Sequence, residues 1–151
     1  TKPNLAIEIK SGNHYKLQKG KWCSCNNSEN DMGTFNKWPE KLRIFGGQYI
    51  YYVFIEYCLT DTLADIVDVK IAPFYKFLGL NRDGLLKYRE KDGNLRPKDF
   101  DAVSPIQTFE EFENLIPKTI KYRAKRIIKK HLQSIPEGER NAFLDSLKTH
   151  F

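Results

Sequence analysis

The amino-acid sequence predicts an α+β fold with a mostly antiparallel or mixed central sheet followed by helices at the C-terminal end. Two runs rich in β-branched and aromatic residues lie in the first half of the chain, and an Asp-Gly turn joins two shorter extended runs after them. Helix-capping residues and helical spacing of apolar residues follow after residue 107. This order of elements is typical of a single α+β domain, here spanning residues 1–151.

The composition excludes two classes of protein. With 40% hydrophobic and 13% aromatic residues, the chain can bury a core, which argues against intrinsic disorder. No apolar run approaches the roughly 18 residues that a membrane span requires. The three cysteines (Cys23, Cys25, Cys58) cannot all pair, and one Cys-x-Cys is a weak zinc signal, so reduced thiols in the cytoplasm are expected. Because the first residue is Thr1 rather than Met, the domain is expected to lack its N-terminal part.

The first predicted strand is short. Residues 5–10 are apolar with Glu and Lys alternating at the end, which indicates a buried strand. The Ser-Gly-Asn sequence at 11–13 is expected to break it. Residues 14–47 are polar and contain glycine, so they are expected to be irregular apart from one short helix or strand, with Trp22 and Trp38 as packing anchors.

Residues 48–59 form the longest aromatic and β-branched run, which predicts a long central strand. After a turn at 60–62, residues 64–71 alternate again and are expected to pair with the central strand as a hairpin, before Pro73 ends it. The Asp-Gly turn predicts a second hairpin over 84–97.

The helices follow from capping and periodicity. Thr108 with Glu111 three residues later is a capping box, which opens a short helix ending before Pro117. Proline suits the first turn of a helix, and apolar residues recur at helical spacing over 118–133. A last short helix carries the apolar residues within 143–147.

Positive charge is concentrated in two zones. Residues 1–28 contain five lysines against Glu8 alone, and residues 117–133 contain seven basic side chains and no acidic one. The whole chain carries a net charge of only +6, so the remaining residues are net acidic. Two cationic zones on an acidic body are typical of a protein that binds a polyanion, although a solvated lysine-rich face gives the same pattern.

The strongest chemical signal is Glu8-Ile9-Lys10 at the end of the first strand, followed by Ser11 and Gly12. Residues two apart on a strand project from the same face, so the Glu8 carboxylate and Lys10 ammonium lie side by side. A carboxylate can hold a hard cation such as Mg²⁺, and a lysine beside it can orient the water that attacks a phosphodiester. Ile9 is expected to point into the core and to leave its carbonyl as a further metal ligand. A plain surface ion pair is the alternative.

The segment Leu5-Ala6-Ile7-Glu8-Ile9-Lys10-Ser11 resembles the motif of the PD-(D/E)xK nuclease superfamily, especially type II restriction endonucleases. The order of a motif strand, a polar segment, an apolar strand, hairpins and C-terminal helices is similar as well. The resemblance implies a Mg²⁺-dependent hydrolase that cuts double-stranded DNA, commonly as a homodimer. It also implies that Glu8 is a metal ligand and Lys10 the catalytic lysine.

One part of the family pattern is missing. The resemblance implies a further acid, an Asp before the motif strand, and nothing acidic precedes Glu8. Three explanations stay open: the acid lies on a missing N-terminal part or another chain, an acid such as Glu56 replaces it, or the site is inactive.

A second, less favoured motif is Asp68-Val69-Lys70, which follows Asp65 and also ends an apolar strand. Apolar residues continue after it, where a substrate-facing segment would be expected. Asp65, Asp68 and Lys70 are therefore the second-choice catalytic set.

DNA contacts are predicted in two places, the polar segment after Lys10 and the second hairpin, because their amide, ammonium and guanidinium groups suit phosphates and base edges. The candidates are Asn13, Lys16, Gln18, Lys19, Lys21, Arg89 and Arg96. The rival interpretation is a non-catalytic nucleic-acid-binding or scaffold domain, in which Glu8 and Lys10 form a structural ion pair.

Overall fold

The structure is a computed structural model that describes residues 5–18, 21–24, 30–59, 63–98 and 102–149, without the side chains of 12–24, 59, 64 and 67. Its elements, in chain order, are strands β1 (Ala6–Gln18) and β2 (Lys21–Ser24), helix α1 (Trp38–Phe45), strands β3 (Ile50–Leu59) and β4 (Ala64–Pro73), and helices α2 (Phe109–Gln133) and α3 (Arg140–Lys148). None of the described helices is long and apolar enough to cross a membrane.

The four strands form one mixed sheet in the order β2-β1-β3-β4. Strands β1 and β3 are parallel, and the two outer pairs are antiparallel. The predicted central strand and its hairpin with residues 64–71 are therefore confirmed, and so is the α+β class with C-terminal helices. The turn predicted at 60–62 lies outside the residues that the structure describes, and the side chain of Trp22 is not described either.

The prediction that β1 ends at residues 11–13 is wrong. The strand continues to Gln18, with one irregularity between Asn13 and Tyr15 in its pairing with β3. Ladder hydrogen bonds to β3 and then to β2 extend it through residues of low strand propensity. Pairing with a distant strand thus overrides the local turn signal.

The core lies between one face of the sheet and α1, the hairpin region and the start of α2. Trp38, predicted as a packing anchor, is fully buried. It stacks on Phe74 at 4.2 Å between ring centroids and meets Phe112 edge-on at 5.6 Å. Tyr52 and Phe54 of β3 point into the same cluster, so the even-numbered positions of β3 define the core-facing side of the sheet.

The opposite face of the sheet exposes apolar side chains. Ile9 is 66% exposed, so the prediction that it points into the core is wrong. Glu8 lies opposite Tyr52 in the ladder and shares its face, which turns Ile9 to the other side. The sequence of a strand with apolar residues on one face and charged residues on the other does not by itself show which face packs against the core. Among the side chains that the structure describes, the other large apolar residues exposed on β1 and β4 are Ile7, Ile66, Val69 and Ile71.

The second hairpin is present as isolated bridges rather than continuous strands. Its predicted turn is confirmed by hydrogen bonds from the N–H of Arg89 to the Asn94 carbonyl (2.7 Å) and from the N–H of Gly93 to the Arg89 carbonyl (2.9 Å). Gly93 has φ +71°, and a Cβ there would lie 2.9 Å from a ring carbon of Phe35. Both the conformation and the space at this turn therefore require glycine.

The capping box at the start of α2 is confirmed. The Thr108 hydroxyl accepts from the N–H of Glu111 at 3.2 Å, and the Glu111 carboxylate accepts from the N–H of Thr108 at 3.1 Å. The predicted last helix is also present, as α3.

The prediction that Pro117 starts a new helix is wrong, because α2 continues through it. Phe112 before the proline and Thr119 after it are both fully buried. Packing on either side of Pro117 therefore keeps the helix continuous. The Thr119 hydroxyl also accepts from the N–H of Leu86 (3.2 Å) and donates to the Leu115 carbonyl (2.8 Å). These contacts offset the hydrogen bond that proline cannot make.

Candidate active site

Glu8 and Lys10 lie side by side on the core-facing side of β1, as their spacing predicts. Glu8 is opposite Tyr52 and Lys10 is opposite Phe54 in the parallel ladder with β3. The Lys10 ammonium lies 2.6 Å from Glu8 Oε1. Both side chains remain partly accessible, at 24% for Lys10 and 31% for Glu8.

A second lysine contacts the same carboxylate from α1. Lys41 Nζ donates to Glu8 Oε2 at 2.9 Å and lies 5.3 Å from the centroid of the Trp38 ring. Trp38 and Lys41 are three residues apart and so share one side of the helix. Burial of the indole therefore places the ammonium over the sheet, where each oxygen of Glu8 has its own cation.

Tyr52 completes the surroundings of Glu8. Its hydroxyl lies 3.2 Å from the Met32 carbonyl and is also close enough to interact with Glu8. The single hydroxyl proton can go to either acceptor. Burial, followed by the negative charge of Glu8, raises the pKa of Tyr52, so this residue stays a neutral donor.

The donors decide the charge of Glu8. Burial by itself raises the pKa of a carboxyl group, but hydrogen bonds from Lys10, Lys41 and Tyr52 outweigh it and lower the pKa of Glu8 to about 2. Glu8 is therefore ionised at any pH near neutrality. The cluster of Glu8, Lys10 and Lys41, called here the Glu8 site, carries a net positive charge suited to an anionic ligand.

The Glu8 site offers few ligands for a divalent cation. Glu8 supplies one carboxylate, and the stretch of β1 around Ile9 pairs with β3 on one side only, with no described strand on the other. Among the residues that the structure describes, no three His, Cys, Asp or Glu side chains come together as a metal-binding group. Because Mg²⁺ is commonly held by one or two carboxylates with water and substrate phosphates, these residues fit a cation completed by substrate rather than a preformed metal centre.

The second-choice set lies farther along the same face. Lys70 of β4 binds Glu56 of β3 at 2.9 Å and lies 3.4 Å from Asp68. Asp65 is opposite Cys58. Glu56 is four residues along β3 from the partner of Glu8, so ladder geometry separates the two Cα atoms by roughly 14 Å. With Glu8 held by lysines and Glu56 by Lys70, the two carboxylates do not share an ion here.

The predicted DNA contacts in the polar segment fall in β1 and β2. Lys16 is opposite Cys23 and Gln18 is opposite Lys21, and Asn13 lies at the irregularity of the ladder. The structure describes the backbone of these residues but not their side chains, and Lys19 lies outside the described residues altogether.

The two hairpin arginines both contact Asp31. Arg89 lies 3.1 Å from one Asp31 oxygen and also binds Asp92, and Arg96 lies 3.0 Å from the other. The side chain of Arg96 is only 11% exposed. As described, this arginine ties the hairpin to the segment before α1, and DNA would have to compete with Asp31 for it.

Sequence reasoning missed Lys41 and Tyr52. Lys41 lies 33 residues from Glu8, and no spacing rule connects them. A signal did exist, since Lys41 is on the same helical side as the anchor Trp38. Recognising it requires knowing where α1 lies against the sheet.

Comparison with known structures identifies the type of fold. The chain is similar to the NlaIV restriction endonuclease, with a TM-score of 0.57 and 17% identity, over 90% of this chain and 62% of that chain. The 151 residues thus span less than two thirds of that structure's length. No family model and no curated protein sequence matches the chain. At this identity the similarity concerns the fold, and the chain has a restriction-endonuclease-like α+β fold.

Proposed function

We propose that this protein is a type II restriction endonuclease that hydrolyses phosphodiester bonds of double-stranded DNA, with Mg²⁺ as cofactor and two copies acting together. The observation that carries the proposal is the Glu8 site, an ionised carboxylate between two ammonium groups on a partly open sheet surface. The restriction-endonuclease-like fold supports it. In the reaction, water adds to phosphorus, one phosphorus–ester oxygen bond breaks, and a proton ends on the leaving oxygen.

Lys10 and Lys41 bind the substrate in this proposal. Each is an ammonium beside a carboxylate, so each can donate hydrogen bonds but has no lone pair to accept a proton. We assign Lys10 to orienting the attacking water through its oxygen, and Lys41 to a non-bridging phosphate oxygen. Two cations beside the phosphate favour the extra charge of the transition state.

Glu8 and the Ile9 carbonyl would hold the divalent cation. When bound, Mg²⁺ would neutralise negative charge on the phosphate. Tyr52 is close enough to Glu8 to donate to it, which would limit the directions in which the carboxylate can turn. Lys41 lies 2.9 Å from Glu8 Oε2, so its positive charge would oppose a cation held by the same carboxylate.

Plasmid cleavage tests the proposal. Supercoiled DNA with Mg²⁺ is expected to be cut by the wild-type protein, and Glu8→Gln and Lys10→Met are each expected to reduce the rate by about 100-fold or more. Glu40→Gln serves as the matched control, because Glu40 is an exposed acid on α1. Cleavage that survives both site substitutions would exclude the Glu8 site.

A second function is favoured by one observation. Both oxygens of Glu8 are occupied by lysines, as expected of a structural ion pair in a non-catalytic nucleic-acid-binding domain. DNA binding by the wild-type protein, with no cutting in Mg²⁺ or Mn²⁺, would support that alternative.

A further inference from the structure

A groove lies between α2 and the tip of the second hairpin, and none of its lining residues belongs to the Glu8 site. It has a volume of about 580 Å³. The residues that line it are Glu90, Lys91, Arg123, Ile127, Lys130 and His131. Three of these side chains are lysine or arginine and one is acidic, so the groove has an excess of basic groups.

The geometry of α2 gives the groove its charge. At 3.6 residues per turn, Arg123, Ile127 and Lys130 project from one side of the helix, whereas Lys125 and Lys129 project from roughly the opposite side. The hairpin adds Lys91 from the facing wall. The groove therefore gathers cations from two elements.

Arg123 is fixed at the base of the groove. Its Nη2 donates to the Glu90 carbonyl at 3.1 Å. Its Nε is buried and has no hydrogen-bond partner among the described residues. A Cβ on Gly93 would lie 3.2 Å from the guanidinium carbon, so the glycine turn lets this arginine pack close to the hairpin. The cation is thus held in place, which reduces the entropy lost when an anion binds.

Glu90 is the acid among the described residues that line the groove, and its carboxylate lies 3.8 Å from Arg126. Its carboxylate opposes anion binding in the groove without cancelling three cations. Removing this charge should therefore strengthen binding of an anion, which a merely structural groove would not do.

We propose that this groove binds the phosphate backbone of the duplex held at the Glu8 site, through Lys91, Lys130 and Arg123, outside the Glu8 site itself. The inference rests on the proposed function, because it takes DNA as the ligand. Backbone contacts of this kind position the duplex and do not read its sequence.

The test compares variants of equal charge. Lys91→Gln with Lys130→Gln removes two cations from the groove, and Lys125→Gln with Lys129→Gln removes two from the opposite side of α2. Binding of a 20-base-pair duplex is measured by fluorescence anisotropy in Ca²⁺ at several salt concentrations. The groove variant is expected to weaken binding about tenfold and to reduce the slope of log K against log salt by about 1 to 2, and the control by less than threefold.

A third variant guards against misfolding as the cause of weaker binding. Glu90→Gln is expected to tighten binding about threefold, the direction opposite to that of the groove variant. Equal losses in the groove and control variants, or unchanged binding in Glu90→Gln, would overturn the groove assignment while wild-type binding left the proposed function intact. A wild-type protein that binds no duplex at all would overturn both.

Discussion

Two clusters of acid and lysine lie on the same face of the same sheet and differ in burial. In the Glu8 site, the carboxylate is 31% exposed and two lysines contact it. In the second cluster, Glu56 is 4% exposed in its side chain and binds Lys70, with the more exposed Asp68 beside it. Similar side chains on neighbouring strands therefore occupy different environments.

The difference teaches which cluster can meet a substrate. A buried carboxylate needs its partner to offset the loss of solvation, so the Glu56–Lys70 pair is tied to folding. Glu8 has two lysines and Tyr52 around it, and it remains 31% exposed, so it is accessible from solvent. We therefore expect changes in the second cluster to act on stability and changes in the Glu8 site to act on binding and cleavage.

The largest effect is expected from Lys70→Met. It removes a cation from a carboxylate that is almost fully buried, and the free energy of unfolding should fall by about 3 kcal/mol. The matched change, Lys10→Met, leaves Glu8 with Lys41 and more solvent, and should cost about 1 kcal/mol or less. Urea unfolding of both variants measures the difference. Equal losses would mean that burial does not distinguish the clusters.

The pH dependence of stability should expose the charge of Glu8. Its pKa is about 2 in the folded protein against an ordinary value of 4.5, so its ionised form stabilises the fold above pH 4.5. This contribution is lost as the pH falls from 4.5 toward 2. After allowance for solvent screening of a partly exposed group, the loss should be about 1–2 kcal/mol.

Urea unfolding at pH 7 and pH 2.5, with Glu8→Gln as the reference, isolates that contribution. The other acids titrate in both proteins, so the wild type should lose about 1–2 kcal/mol more than the variant between the two pH values. Equal losses in the two proteins would show that the lysines do not stabilise the charge of Glu8.

The sequence predicted the features that depend on local chemistry. The apolar run of β3, the glycine turn at Gly93 and the Thr108–Glu111 capping box all follow from neighbouring residues. The same reasoning placed Glu8 and Lys10 side by side, because strand geometry fixes residues two apart.

The predictions that were wrong concern features that depend on contacts between residues far apart in the sequence. The extension of β1 comes from pairing with β3, the continuity of α2 through Pro117 from packing of Phe112 and Thr119, and the exposure of Ile9 from the side on which the core forms. Lys41 is the same kind of case, since a helix far along the chain brings it to Glu8. Local patterns carry no information about these contacts.

The smallest expected effect, and the most specific to the Glu8 site, concerns Lys41. Because Lys41 occupies Glu8 Oε2, a divalent cation must compete with its ammonium for the carboxylate. Lys41→Met should therefore bind Mn²⁺ about threefold more tightly than the wild type in the absence of DNA, as measured by calorimetry.

The control is Lys37→Met, because Lys37 is an exposed lysine just before α1. This variant should leave the Mn²⁺ affinity unchanged. Weaker Mn²⁺ binding by Lys41→Met would mean that Lys41 helps to form the cation site rather than competing with it, and the two clusters would then differ in exposure alone.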